Sequence, residues 1–134
     1  MSRIRHLSGR RWEKMLKDCG VDVFNGAQGR ILYVLWEYGQ MTITEIGRMT
    51  SLAKTTLTSM LDRMESGGLI TRVPDKANRR QIQIAVTEKA NQYRENYNRI
   101  SDRASELFYR GFTQSEIRDF ERMLKRIIEN LEGE

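Results

Sequence analysis

Residues that do chemistry are scarce in this chain of 134 residues, which holds one histidine, one cysteine and one proline. A single cysteine cannot close an internal disulfide, so a reducing compartment, the cytoplasm, is expected. One histidine and one cysteine cannot assemble a zinc site of the usual Cys/His kind. No glycine-rich phosphate loop of the P-loop or dinucleotide type is present. Acidic side chains are plentiful, but they alternate with Arg and Lys in the manner of solvated surface pairs. Without a nucleophile–base pair, neither an enzyme nor a cofactor or metal is expected. No apolar run is long enough to span a bilayer, so no membrane partner is expected. The opening MSRIRHLSGRR has no apolar signal core, so export is not expected either. With a single proline, scattered glycines and no repeat, residues 1–134 read as one domain, long enough to bury a core.

What the chain does have is positive charge. Its formal net charge is +5 and its sequence pI about 9.6. Such a balance favours an anionic partner without choosing between nucleic acid and a membrane surface. The choice comes from residues 42–87. There Leu57, Met60, Leu61 and Met64 recur three and four apart, the spacing of one buried helical face. The other side carries Lys54, Thr55, Thr56, Thr58, Ser59 and Arg63, with Thr56 expected to turn partly inward and the acids Asp62 and Glu65 only late. Short hydroxyls let a helix lie close in a groove and bond either a phosphate or a base edge.

The flanks suit that reading. Thr42 to Glu45 forms a T-x-x-E capping box that opens a short helix to about Met49. Ile46 and Met49 supply its apolar side, and Gly47 allows a second helix to approach. A turn over Thr50 to Ala53 follows, then the hydroxyl-bearing helix, closed by Gly67-Gly68. Helix, turn and helix make a helix-turn-helix unit. Two strands are expected next, Leu69 to Val73 and Gln81 to Val86, the second alternating Ile82, Ile84 and Val86. The loop between them holds Lys76, Arg79 and Arg80. A basic hairpin behind a helix-turn-helix reads as a wing whose arginines reach a minor groove.

These residues resemble the MarR family of bacterial transcription regulators. The likeness lies in T-x-x-E-I at 42–46, L-x-K-x-T at 52–56 and L-D-R-M-E-x-x-G-L-I at 61–70. It continues in R-V-P-D at 72–75, N-R-R at 78–80 and V-T-E-K at 86–89. The chain departs from the family pattern at Asn78, where an acid usually braces the wing arginine, at Ala90, where Gly is usual, and at Ala53, where Ser is usual. Asn78 is expected to bond the Arg80 guanidinium more weakly than an acid would, and Ala53 is a poor helix cap. The resemblance implies a mainly α fold with a small β-hairpin wing. The winged helix-turn-helix lobe would span 27–87, and N- and C-terminal dimerisation helices would span 1–20 and 88–134.

The remaining segments read as helices. Residues 1–19 carry an irregular apolar side of Ile4, Leu7, Trp12, Met15 and Cys19 on a basic helix that is either functional or a frayed terminus. Asn25 caps a core helix with Ala27, Ile31, Val34, Leu35 and Tyr38, whose Tyr33 and Trp36 are expected to pack on a neighbour rather than line a pocket. Thr87 caps a long helix from Glu88 to about Tyr109, with a heptad seam from Ala90 to Leu107. Thr113 to Glu116 caps another to about Leu131. Two seams offer more apolar surface than a small domain needs. A symmetric homodimer is the economical solution, and an antiparallel hairpin the alternative.

The resemblance then implies a homodimeric regulator bound to double-stranded DNA on a pseudo-palindromic operator, a repressor released by a small aromatic or anionic effector. Lys54, Arg63, Arg72 and Lys76 would hold phosphates. Thr55, Thr56, Thr58 and Ser59 would meet base edges, and Arg79 and Arg80 the minor groove. Competing readings are a winged-helix protein adaptor and a redox sensor acting through Cys19, since some relatives sense oxidants with a first-helix cysteine.

Overall fold

A computed structural model of the chain describes residues 1–78 and 80–133. The elements run α1 (Ser2–Asp18), α2 (Gly26–Tyr38), β1 (Met41–Thr42), α3 (Ile43–Thr50), α4 (Lys54–Ser66), β2 (Ile70–Pro74), β3 (Ile82–Val86), α5 (Glu88–Asn91), α6 (Arg94–Phe108) and α7 (Gln114–Glu132).

All three anticipated capping boxes form. Asn25 Oδ1 accepts from the Gln28 N–H at 2.9 Å, Thr42 Oγ1 from the Glu45 N–H at 3.2 Å and Thr113 Oγ1 from the Glu116 N–H at 3.1 Å. In each the glutamate or glutamine side chain bonds back to the cap N–H, so two otherwise orphaned donors are satisfied. Gly68, at φ +78°, turns the chain out of α4, and the Leu69 N–H returns to the Met64 carbonyl at 2.9 Å.

The wing is the β2–β3 hairpin, antiparallel from Ile70↔Val86 to Pro74↔Ile82. The short β1 adds to its far edge through Met41↔Ile84 and Thr42↔Gln83, which gives the order β1-β3-β2. Sequence patterning misses β1 because its two residues double as the entry to the α3 cap. It also explains β3. Ile84, paired on both sides, is fully buried, whereas Ile82 lies beyond the reach of β1 and stays exposed.

One apolar core joins Leu57, Leu61 and Met64 of α4 to Ile31, Leu32, Val34, Leu35 and Trp36 of α2, Ile46 of α3 and Ile84 of β3. It extends to Leu16 of α1 and to Tyr97 and Ile100 of α6. Trp36 and Tyr33 do pack: Tyr97 meets Trp36 edge-on at 5.6 Å and stacks on Tyr33 at 5.9 Å. Several expected core positions lie elsewhere. Met49 and Tyr38 are exposed, as are Ile4, Leu7 and Cys19 of the first helical segment, while Met60 is only half-buried.

The long helix expected from Glu88 to Tyr109 is broken. At Gln92–Tyr93 the bonding tightens: the Tyr93 N–H reaches Ala90 at 3.0 Å instead of the carbonyl four residues back. Trp36 Nε1 donates to Asn91 Oδ1 at 3.0 Å just before the break. Ala90 is therefore held in the core beside the winged elements, while Tyr97 and Ile100 turn to α1 and α2. No residue of α7 is buried.

Candidate nucleic-acid interface

α4 divides along its length into two faces. Leu57, Leu61 and Met64 are buried to within 1% exposure. Lys54, Thr55, Thr56, Ser59 and Arg63 are exposed, so Thr56 does not turn inward; Thr58 is the half-buried threonine. α3 packs behind this helix. At Gly47 a Cβ would meet Leu57 Cδ2 at 3.6 Å, an ordinary contact, so the close approach of the two helices does not depend on glycine there. Between the two helices Ser51 takes a left-handed conformation, φ 58°, that non-glycine residues hold only under tertiary support.

Ala53 offers α4 no side-chain cap. The first N–H groups of the helix therefore lack a side-chain acceptor, and their partial positive charge suits an anion. Beside them Lys54 and Arg80 line a groove of about 680 Å³ with Thr42, Thr44 and Gln81. The groove joins the start of α4 to the base of the wing loop. Thr42, Thr44 and Gln81 were not among the sequence candidates, because nothing in local spacing shows that the α3 entry faces the wing.

The wing loop is organised by Asp75 and Asn78. Asp75 Oδ1 accepts from the Ala77 N–H at 2.9 Å and Oδ2 from Gln83 Nε2 at 3.4 Å. Asn78 Oδ1 accepts from the Arg80 backbone N–H at 3.1 Å. The brace expected between Asn78 and the Arg80 guanidinium is thus replaced by a turn contact of the kind Asn favours. Lys76 and Arg80 are exposed. Arg79, the other arginine assigned to the minor groove, lies outside the described residues.

Two expected phosphate ligands are placed differently. Arg63 folds along its own helix, donating to the Ser59 carbonyl at 3.4 Å and Ser59 Oγ at 3.3 Å, both long and exposed. Arg72 is engaged more firmly. One terminal nitrogen donates to Asp62 Oδ1 at 2.9 Å and the other to Glu65 Oε1. Burial alone would lower its pKa, but the hydrogen bonds and charges of Asp62 and Glu65 outweigh that and raise it. Both terminal nitrogens of the fork are committed within the protein. The clue in the sequence was the spacing of the two acids, three apart on one side of α4.

Away from this surface, a cavity of about 480 Å³ lies between α1, α2 and α6, lined by Arg5, Trp12, Arg30, Leu52, Tyr97 and Ser101. Burial pushes the Tyr97 hydroxyl up to about 12, with Arg30 opposing and Tyr33 adding to the shift. Leu52 also lines the groove beside α4, so it stands between the two spaces.

Comparison with known proteins agrees with this geometry. A family model described as the MarR family matches residues 24–82. The HTH-type transcriptional repressor IacR of Pseudomonas putida is 31% identical over 123 residues, which are 90% of this chain and 70% of that protein. Among solved structures, reduced AbfR bound to DNA is 31% identical, with a TM-score of 0.67 over 95% of this chain and 89% of its own. BpsR of Bordetella bronchiseptica, whose DNA binding is regulated by 6-hydroxynicotinic acid, has a TM-score of 0.83 over 94% of this chain and 88% of its own, and at 16% identity it shows the fold alone. The family and IacR are transcriptional regulators, not enzymes. The chain belongs to the MarR family and is a DNA-binding transcriptional regulator of the winged helix-turn-helix type.

Proposed function

We propose that two copies of the chain form a symmetric dimer that represses transcription from a pseudo-palindromic operator and is released by a small aromatic or anionic effector. The carrying observation is that Lys54, Thr55, Thr56 and Ser59 lie exposed along one side of α4, next to the groove that Arg80 completes. The hydroxyls meet base edges in the major groove; Lys54 and Lys76 hold phosphates; Arg80, with Arg79, enters the adjacent minor groove. Half-buried Thr58 and back-folded Arg63 contribute at the margin of this surface. An adaptor would present apolar or acidic side chains there instead.

Dimerisation is supported by α7, whose Met123, Ile127, Ile128 and Leu131 are between 51% and 71% exposed. An open groove of about 590 Å³ with Leu7, Met15, Leu107 and Phe108 in its walls adds further uncovered apolar surface. A dimer sets its two recognition helices about 34 Å apart, in successive major grooves. For the effector, the cavity holding Arg5, Arg30, Trp12 and Tyr97 offers two cations against the one carboxylate of Glu13, and aromatic walls, which suits a ring bearing a carboxylate. Such a ligand would press on Leu52, two residues before α4, and shift the spacing of the helices. The site of action is the cytoplasm, where DNA and reduced thiols coexist.

Sedimentation and DNA titration test this reading. The chain should sediment at twice its 15.8 kDa mass and bind DNA from its own upstream region in preference to random DNA. Millimolar benzoate should weaken that binding, and an Arg30→Ala variant should lose the response. A monomer, or equal binding to both DNAs, would overturn the reading.

A further inference from the structure

We infer that Arg72 is a positioning residue: it locks the wing to the recognition helix through Asp62 and Glu65, and so governs operator specificity without touching DNA. The inference rests on the reading above that α4 and the wing meet one duplex together.

The geometry is that of a cross-element clamp. Arg72 lies in the middle of β2, opposite Ile84 of β3. Asp62 and Glu65 are three apart near the end of α4, so both carboxylates approach the strand from one side of the helix. Each takes a different terminal nitrogen of the guanidinium. The Arg72 side chain is 25% exposed, against 65% for Asp62 and 41% for Glu65, so the cation is the covered member and the acids form its rim. A planar fork can hold two separate carboxylates at once, whereas a lysine ammonium acts as a point charge on a flexible stem.

Among the described residues, the other side-chain hydrogen bonds of the wing lie at its ends. At its base Thr87 Oγ1 donates to the Gly68 carbonyl at 2.6 Å and Lys89 Nζ to the Gly67 carbonyl at 2.9 Å. At its tip Asp75 and Asn78 bond only within the loop and to Gln83. Between base and tip, Arg72 makes the only side-chain hydrogen bonds from the wing strands to α4 among the described residues. β1 holds the β3 side of the hairpin through Met41↔Ile84 and Thr42↔Gln83, so Arg72 is the tie on the β2 side; without it β2 and the tip that carries Lys76 and Arg80 are free to swing away from α4. Specific binding needs helix and wing in their two grooves at once. Non-specific binding to phosphates tolerates any angle between them.

Two variants, Arg72→Gln and Arg72→Lys, titrated against upstream DNA and random DNA over a range of salt, test the clamp. Both should weaken operator binding about tenfold, the scale of one mismatched base pair, while binding to random DNA stays within about twofold. Amide exchange across Thr71–Val86 should quicken in both variants without DNA. Parallel losses on both DNAs, with the salt slope of Arg72→Gln reduced by about one, would make Arg72 a phosphate ligand and overturn the inference. Full rescue by Arg72→Lys would reduce its role to charge screening and overturn it equally. If the wild-type chain itself fails to prefer upstream DNA, the sequence-specific reading falls; unchanged exchange in the variants would then dispose of the clamp as well.

Discussion

α4 and α7 follow the same pattern and meet opposite fates. In α4 the apolar residues Leu57, Leu61 and Met64 are at most 1% exposed. In α7 Ile127 and Ile128 are each 52% exposed and Leu131 71%. Periodicity tells which face of a helix is apolar; it does not tell what covers it. The winged segment covers its own faces with a third strand and the α2 core, with capping boxes at Asn25 and Thr42 fixing α2 and α3. The last helix leaves its stripe facing solvent, at a free-energy cost of roughly 25 cal/mol for each Å² of apolar area that a partner could cover. The difference is that the winged segment closes its apolar faces within one chain, while the far end leaves its stripe open, as the proposed dimer requires.

Breaking the open half should have the largest effect. Ile127→Glu puts a charge on the uncovered stripe of α7. The variant should sediment as a folded monomer and lose operator affinity about 100-fold or more, because the two half-sites are no longer engaged together. Retained dimers would show that this stripe is not the contact.

The closed half should respond differently. Leu61→Ala removes a fully buried side chain between α4 and its neighbours and should lower folding stability by about 2–5 kcal/mol. Thermal unfolding would report this as a lower midpoint, with the dimer intact at temperatures below it. A change under 1 kcal/mol would mean that the core of the winged segment is looser than its burial implies.

Tyr97 sits where the two halves join. Its hydroxyl pKa is raised from 10.0 to about 12 chiefly by burial. The folded state therefore holds the proton more tightly than the unfolded state. The stabilisation is complete below pH 10 and is lost as pH rises to about 12. Its size is on the order of 2 kcal/mol. Denaturant titrations across this window should show a steeper fall for the wild type than for Tyr97→Phe. Parallel curves would mean that the hydroxyl is better hydrated than its surroundings suggest.

The smallest effect concerns the wing. Arg80→Ala should weaken DNA binding severalfold and reduce the salt slope by about one unit, as for one lost phosphate neighbour. An unchanged slope would remove Arg80 from the interface.

The same contrast marks what was legible beforehand. Capping boxes at Thr42, Asn25 and Thr113 read correctly because their bonds span only three residues. The exposed side of α4 was legible from its alternating faces, and the wing from its strand pattern. The break at Gln92–Tyr93 was hidden, since it reflects where Ala90 and Tyr97 must pack rather than any local breaker. β1 was hidden because two residues carry no period. The pairing of Arg72 was hidden because a basic residue in a strand looks free until the acids across from it on α4 are placed. Contacts between distant segments, not local preferences, decided each of these.

The central claim is that the exposed side of α4, and not the far end of the chain, meets the duplex. Photo-crosslinking tests it most directly, with a light-activated side chain placed at Thr55 in one preparation and at exposed Lys125 of α7 in another. On upstream DNA, position 55 should crosslink to bases and position 125 should not. Crosslinks from position 125 with none from position 55 would contradict the account.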